Sequence, residues 1–268
     1  MIDLVDTHSH LDVGEFDHDR AEVIARARAA GVRRQVVPAI VADTWPSLRA
    51  VCAADPGLFP AYGLHPMCID AHRPAHIELL RASLESERPV AVGECGLDFY
   101  IEGLDPEVQA RYFDAQLRLA REYDLPVIVH ARRAVDAVIT ALRRHAPLRG
   151  VVHSFPGSEE QAGQLWKLGF LIGLGGPVTY PRAARLRRLA ASMPLEFLLL
   201  ETDSPDQPNA GTRGERNEPA RMRTVLDAIA ELRNIDPAQL AHATTASAER
   251  LFTLPALAPT DAPSASAA

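Results

Sequence analysis

The sequence is short of several things, and each shortage removes a class of protein. It holds only three cysteines, Cys52, Cys68 and Cys95, an odd number with no C-x-x-C pair, which excludes a disulfide framework and a zinc knuckle. No apolar run approaches the roughly 20 residues a membrane-spanning helix needs. The N-terminus has no basic region followed by an apolar stretch, so no secretory signal is read and a cytoplasmic location is expected. Positive charge is also in deficit: a net charge of −7 excludes a general nucleic-acid coat. It does not exclude an enzyme that holds phosphates at a local cationic site. Aromatics make up 6% of the chain, and no basic and aromatic track of a processive single-strand binder is visible. There is no Gly-rich dinucleotide fingerprint after the first apolar run.

What is present is an alternation. Short β-type runs fall at 3–8, 34–40, 59–65, 89–94, 126–130, 150–155, 170–176 and 197–203. Helical stretches fall between them, at 19–30, near 43–54, and at 75–86, 106–124, 134–145, 158–168, 181–191 and 217–233. Eight such alternations in 268 residues with no composition break predict one (β/α)8 TIM-type barrel, an α/β fold spanning 1–253. An extra C-terminal helix is expected over 236–250, capped by Asp236 with Pro237 in its first turn. The Pro-, Ala- and Ser-rich segment 254–268 is expected to be a disordered tail.

Barrel enzymes build their sites at the carboxyl ends of the strands. The polar residues ending these runs are His8 and His10, His65, Glu94, His130, His153 and Asp203. Such a collection of imidazoles and carboxylates is the ligand mix of Zn²⁺, Mn²⁺ and related ions. A His-x-His pair such as His8 and His10 is weak evidence alone, but in a strand it projects both rings to one face. The remaining histidines, His18, His72, His76, His145 and His242, fall in helices or loops and are expected at the surface. The liganding groups are too many for one tetrahedral ion and suit two, with Glu94 the natural bridge. A carboxylated lysine, the rival bridge, is excluded because the only lysine, Lys167, lies in a helical stretch. Cys95 reads as a small core residue.

Seven segments, "DTHSHLD" (6–12), "GLHP" (63–66), "VGECGLDFY" (92–100), "LPVIVHAR" (125–132), "VVHSF" (151–155), "LLLETDSP" (198–205) and "RNEP" (216–219), occur in the order of a known family. The sequence resembles the TatD-type metal-dependent deoxyribonucleases, among the amidohydrolase-like barrels. The resemblance implies two divalent ions, Mg²⁺, Mn²⁺ or Zn²⁺, and hydrolysis of phosphodiesters, with DNA trimmed from its 3′ end. It implies that His8, His10 and Asp203 hold one ion, that His130 and His153 hold the other, and that Glu94 bridges them. His65 would contact the scissile phosphate or assist the leaving group. Arg132 would either fork onto a phosphate or serve as a surface ion-pair partner. Asp203 is expected to act as general base. Glu201, two residues before Asp203, shares its face and either orients a ligand histidine or fills the barrel interior. Asn217 and Glu218 are expected to cap the following helix and pin the loop before it. A monomer acting on DNA is the leading expectation. A metal-dependent esterase or deacylase acting on an aminoacyl-tRNA or another small ester or amide is second. A non-catalytic metal-binding scaffold is third.

Overall fold

The eight apolar runs form eight parallel strands, each followed by a helix that packs its apolar side back on the sheet. The computed structural model describes residues 2–255. The strands are β1 (Leu4–Asp6), β2 (Val32–Pro38), β3 (Leu58–Tyr62), β4 (Ala91–Asp98), β5 (Val127–Arg132), β6 (Gly150–Val152), β7 (Phe170–Leu174) and β8 (Leu198–Leu200). The helices are α1 (Arg20–Ala29), α2 (Trp45–Ala53), α3 (Ala75–Glu87), α4 (Pro106–Glu122), α5 (Val135–His145), α6 (Glu159–Lys167), α7 (Ala184–Ser192), α8 (Met222–Arg233) and α9 (Pro237–Phe252).

The strands pair in chain order β1 to β8. The seam between β8 and β1 is closed just beyond the strand ends. There Thr7 N donates to Leu200 O at 3.1 Å, Asp203 N to His8 O at 2.8 Å and His10 N to Ser204 O at 2.8 Å. The result is the expected (β/α)8 TIM-type barrel. Helix starts follow capping chemistry. Asp105 accepts from Glu107 N at 2.8 Å ahead of α4, Ser158 and Gln161 form a reciprocal box at α6, and Asp236 accepts from Ala238 N at 2.7 Å at α9.

The barrel floor is apolar. Val5, Val36, Ala61, Ala91, Ile128, Val151 and Leu199, from seven different strands, pack against Ala248, Leu251, Phe252 and Leu254 at the end of α9. The extra helix therefore stoppers the amino-terminal end, leaving the carboxyl end for polar residues. Among the described residues no helix is long and apolar enough to cross a membrane.

The structure departs from the sequence-based expectation in several places, and first in that β1, β3, β6 and β8 end two or three residues short of the expected 8, 65, 155 and 203. β4 runs on to Asp98 rather than stopping at Glu94. The stretch near 43–54 divides into a 3-10 turn at Ala42–Thr44 and α2. α8 starts at Met222 rather than 217, because Asn217 turns its side chain to loop carbonyls, donating to Thr202 O at 2.9 Å. Asn217 thus pins the loop without capping a helix. The expected tail, finally, begins with two packed residues: Leu254 is buried, and Pro255 O accepts from Arg34 at 3.0 Å. Residues 256–268 of that tail lie outside the described residues.

Candidate metal centre

The two-residue strand period carries the inward face of the floor up to the mouth. It leads from Ile128 to His130 within β5, while His153 stands one residue past β6, Glu201 one residue past β8, and Asp203 three residues past β8 with φ 57°. Glu94 stands three residues after Ala91. A register shift between Val92 and Cys95 in the β4–β5 pairing accounts for the odd spacing, since a bulge returns the next side chain to the same face.

These strand ends bring six side chains into one knot centred on Glu94. Its Oε1 lies 2.7 Å from His153 Nε2 and 3.0 Å from His130 Nδ1, and its Oε2 lies 3.1 Å from His8 Nε2 and 3.6 Å from His10 Nε2. Asp203 Oδ1 lies 3.4 Å from His8 Nε2 and 3.6 Å from His10 Nε2. His65 enters the same knot, with Nε2 at 2.9 Å from Glu94 Oε1. Its Nδ1 accepts from Met67 N at 3.2 Å, so Nε2 carries the proton and serves as a donor rather than a lone pair.

The ring orientations are set from behind. His10 Nδ1 donates to Pro38 O at 3.1 Å and His130 Nε2 donates to Asp98 Oδ2 at 2.8 Å, each leaving the opposite nitrogen toward Glu94. Such supporting acceptors behind imidazole ligands fix tautomer and direction. Asp6 ties the two ends of the seam together, accepting from Thr202 Oγ1 at 2.6 Å, Thr202 N at 3.0 Å and His8 N at 3.2 Å. Gln207 donates to Asp203 Oδ2. Glu201 is fully buried, accepts from Ser154 N at 2.5 Å, and stands 3.9 Å from His153 Nδ1. A Cβ at Gly173 would overlap its carboxylate, which would have to move aside.

The electrostatics are those of a cluster balanced by protons. Burial opposes charge on Glu94, but His153, His65 and His8 hold it well below the usual carboxylate range. Burial is likewise outweighed at Asp203, where a hydrogen bond from His10 and the nearby imidazoles bring the carboxyl down to about 2. His153 is raised to about 10 against burial by Glu94, and His10 to about 9 by Asp203 and Glu94. His8, buried and next to a charged His153, falls to about 4. Burial lifts Glu201 to about 8 and Asp6 to about 7.

The donor set fits divalent cations. Ligand atoms bound at about 2.0–2.2 Å to one ion stand roughly 3 Å apart, which is the spacing seen here. Glu94 Oε2 is buried without a hydrogen-bond partner, an orphaned lone pair pointed at two imidazoles. His8, His10 and Glu94 form one group of converging ligand atoms, His65, Glu94 and His130 another, and His8, His153 and Glu201 a third. The knot opens into a cavity of about 980 Å³ at the barrel mouth, whose wall includes Arg132, Arg182 and Arg185.

A family model described as TatD related DNase matches residues 5–253. The chain belongs to the TatD-related DNase family. It is 41% identical to the uncharacterized metal-dependent hydrolase YjjV of Escherichia coli K12, over 94% of this chain and 98% of that one. It is 36% identical to the 3′-5′ ssDNA/RNA exonuclease TatD of Cronobacter sakazakii, over 93% and 97%. The crystal structure of the YjjV TatD homolog from E. coli superimposes with a TM-score of 0.91 at 40% identity, covering 94% of this chain and 98% of that one. The protein is thus a TatD-family metal-dependent hydrolase whose His and Glu clusters are compatible with divalent metal binding.

Several positions in this TatD family member were misread or missed from sequence. His72 is buried, not at the surface, and bonds His65 O through Nε2 at 2.9 Å. His145 is partly buried against Asp114 at 3.1 Å, while His18 and His242 are exposed. Glu218 caps no helix with its side chain and instead pairs with Arg26 at 2.9 Å. Arg132 has no carboxylate partner among the described residues and lies 3.6 Å over the Tyr100 ring. Asp98 and Asp6 received no role from sequence. The signal for Asp98 was present: from Glu94 the two-residue period runs through Gly96 to Asp98 on the same face.

Proposed function

We propose that this protein is a two-metal phosphodiesterase that trims DNA from its 3′ end, acting as a monomer in the cytoplasm. The observation that carries the reading is the six-donor knot around a single buried carboxylate, set at the base of a cavity whose rim holds arginines without acidic partners. Some arginines elsewhere are neutralised, as Arg28 is by Asp55 at 2.5 Å and Arg149 by Asp124 at 2.5 Å, and what sets the rim arginines apart is that they line the cavity over the knot. Arg132, Arg182 and Arg185 have no acidic partner among the described residues, and a polyanion is the partner that would pair them.

In this reading His8, His10 and Asp203 would hold one divalent ion, His130 and His153 would hold the second, and Glu94 would be shared between them. Bound there, Mg²⁺, Mn²⁺ or Zn²⁺ would lower the pKa of a water toward neutrality and offset charge on the phosphate oxygens. Asp203 remains ionised and accepts the proton as the water oxygen adds to phosphorus. The P–O3′ bond breaks, His65, a neutral donor through Nε2, hydrogen-bonds the departing oxygen, and a solvent water supplies the proton that makes it a hydroxyl. Arg132 forks onto a phosphate. Asp98 keeps the His130 lone pair aimed inward, and Asp6 keeps His8 and Asp203 in register. The name of the Cronobacter relative supports the same polarity of digestion.

The arginine rim speaks against a small neutral ester or amide, which offers those guanidiniums nothing, whereas an aminoacyl-tRNA would engage them as DNA does and is told apart by its products. A non-catalytic scaffold has no use for a proton acceptor and a donor placed beside the same knot. The test is incubation of metal-stripped protein with single-stranded DNA labelled at its 5′ end, with Mg²⁺, Mn²⁺ or Zn²⁺ added back. A ladder of labelled shortened products that requires metal and is lost in Asp203→Asn is expected. Intact DNA at full metal loading, with an ester cleaved instead, would overturn the nuclease reading.

A further inference from the structure

A smaller cleft of about 560 Å³ adjoins the main cavity and shares Pro156, Gly157 and Arg185 with it. Its other walls include Phe99, Arg133 and the small apolar residues Ala134 and Ala137. Phe99, 41% exposed, lines this cleft, and Tyr100, 47% exposed, follows it in the chain. They are not on a loose loop. Phe99 N donates to Arg132 O at 2.9 Å, and Asp98 Oδ1 accepts from Tyr100 N at 2.8 Å and Ile101 N at 3.2 Å.

Tyr100 holds two arginines at once. The Arg132 guanidinium lies 3.6 Å and that of Arg133 4.6 Å from its ring centroid. Arg132 lines the main cavity and Arg133 the smaller cleft, so one ring sets a cation in each. Arg185, in the wall common to both, spends one N–H on Pro156 O at 2.5 Å and keeps its others for a ligand. Asp136, which also lines the smaller cleft, is engaged by Gln161 Nε2 at 2.7 Å. An exposed ring beside small apolar residues, flanked by guanidiniums without acidic partners among the described residues, suits a nucleobase joined to a phosphate.

Resting on the phosphodiesterase reading of the main cavity, we propose that the smaller cleft is the subsite for the nucleotide adjoining the one cleaved. Its base stacks on Phe99 and its phosphate lies between Arg133 and Arg185, with Tyr100 as the positioning residue for the arginines. A base seated there is unpaired, so the subsite selects single strands and frayed ends over intact duplex. The basic and aromatic surface that the linear sequence conceals is assembled from 99–100 and 132–133, because β4 and β5 pair Asp98 with Arg132.

The test compares a mononucleotide with a 5′-phosphorylated, phosphorothioate-linked dinucleotide, which resists hydrolysis, on the metal-loaded protein by calorimetry. The dinucleotide is expected to bind about tenfold more tightly, the order of one base–aromatic stack. Phe99→Ala should bring the ratio close to one, Phe99→Trp should keep it, and Arg133→Ala should reduce the salt dependence of dinucleotide binding by about one ion. A ratio unchanged in Phe99→Ala, or no gain from the second nucleotide in the unaltered protein, overturns the subsite. Hydrolysis of an ordinary dinucleotide with no such gain would leave the phosphodiesterase reading standing without the subsite. A Phe99-dependent gain with no hydrolysis would do the reverse.

Discussion

The two ends of the barrel both hold buried ionisable groups, and they balance them differently. At the amino-terminal end Arg34, 1% exposed, meets Glu249 at 2.7 Å and Asp3 at 3.2 Å beside the apolar floor. Its charge is permanent and so are its partners, so the arrangement is complete at any pH near neutrality. At the carboxyl end two carboxylates are balanced by imidazoles, whose charge depends on protons that a cation can replace. A permanent pair serves the fold, whereas a balance made by exchangeable protons suits a metal. The difference gives each end its own failure mode.

The largest expected effect is at the mouth. Asp203→Asn should lower nuclease turnover by about 10³-fold, the middle of the range for a general base, while thermal unfolding of the protein shifts little. Parallel melting curves and rate assays check it. Asp98→Ala should weaken metal affinity about ten- to a hundredfold by freeing His130, read by competition with a chelating dye. At the other end Arg34→Met should cost about 2 kcal/mol of stability in urea unfolding while leaving metal content unchanged. That figure allows for the partial exposure of Asp3 and Glu249, whose side chains are 34% and 37% exposed. Loss of metal from Arg34→Met would erase the distinction between the two ends.

The smallest effect is a slope with pH. In metal-free protein His10 and His153 are raised to about 9 and about 10, above their unfolded value near 6.5. Their contribution is therefore full below pH 6.5 and is lost as pH rises through 9 to 10, a fall of at least about 1 kcal/mol. Glu201, raised to about 8, acts in the same direction as pH climbs from its unfolded value of 4.5. His8, lowered to about 4, acts on the acid side, where its stabilisation is lost as pH falls below 6.5. Melting temperatures across pH 6 to 10 should show the alkaline decline without metal and little of it with metal. Metal uptake at pH 7.5 should release protons into a weakly buffered indicator solution.

The barrel and the meeting of His8, His10, Glu94, His130, His153 and Asp203 were legible in the sequence for one physical reason. Each residue ends an apolar run, and a parallel barrel gathers strand ends at one mouth. What was not legible depended on irregular backbone or on pairing across the chain. The alternation from Glu94 to Asp98 was readable, but only the β4–β5 pairing shows that Asp98 meets His130. His72 follows a 3-10 segment whose pattern carries no burial signal, so its bond to the His65 carbonyl is visible only in three dimensions. Arg132 and Tyr100 are 32 positions apart and meet through β4–β5 pairing. Asn217 looked like a helix cap because asparagine favours that position, but the loop leaving β8 offered it the carbonyls of Thr202 and Gln207.

The central claim is that Glu94 gathers two divalent ions for one hydrolytic site. The measurement that tests it most directly is titration of metal-stripped protein with Mn²⁺ or Zn²⁺, reading bound metal and DNA hydrolysis in the same samples. The account predicts uptake of two ions per chain, activity that reaches its plateau only with the second, and loss of that pattern in Glu94→Gln. Full activity at one ion per chain, or in Glu94→Gln, would contradict it.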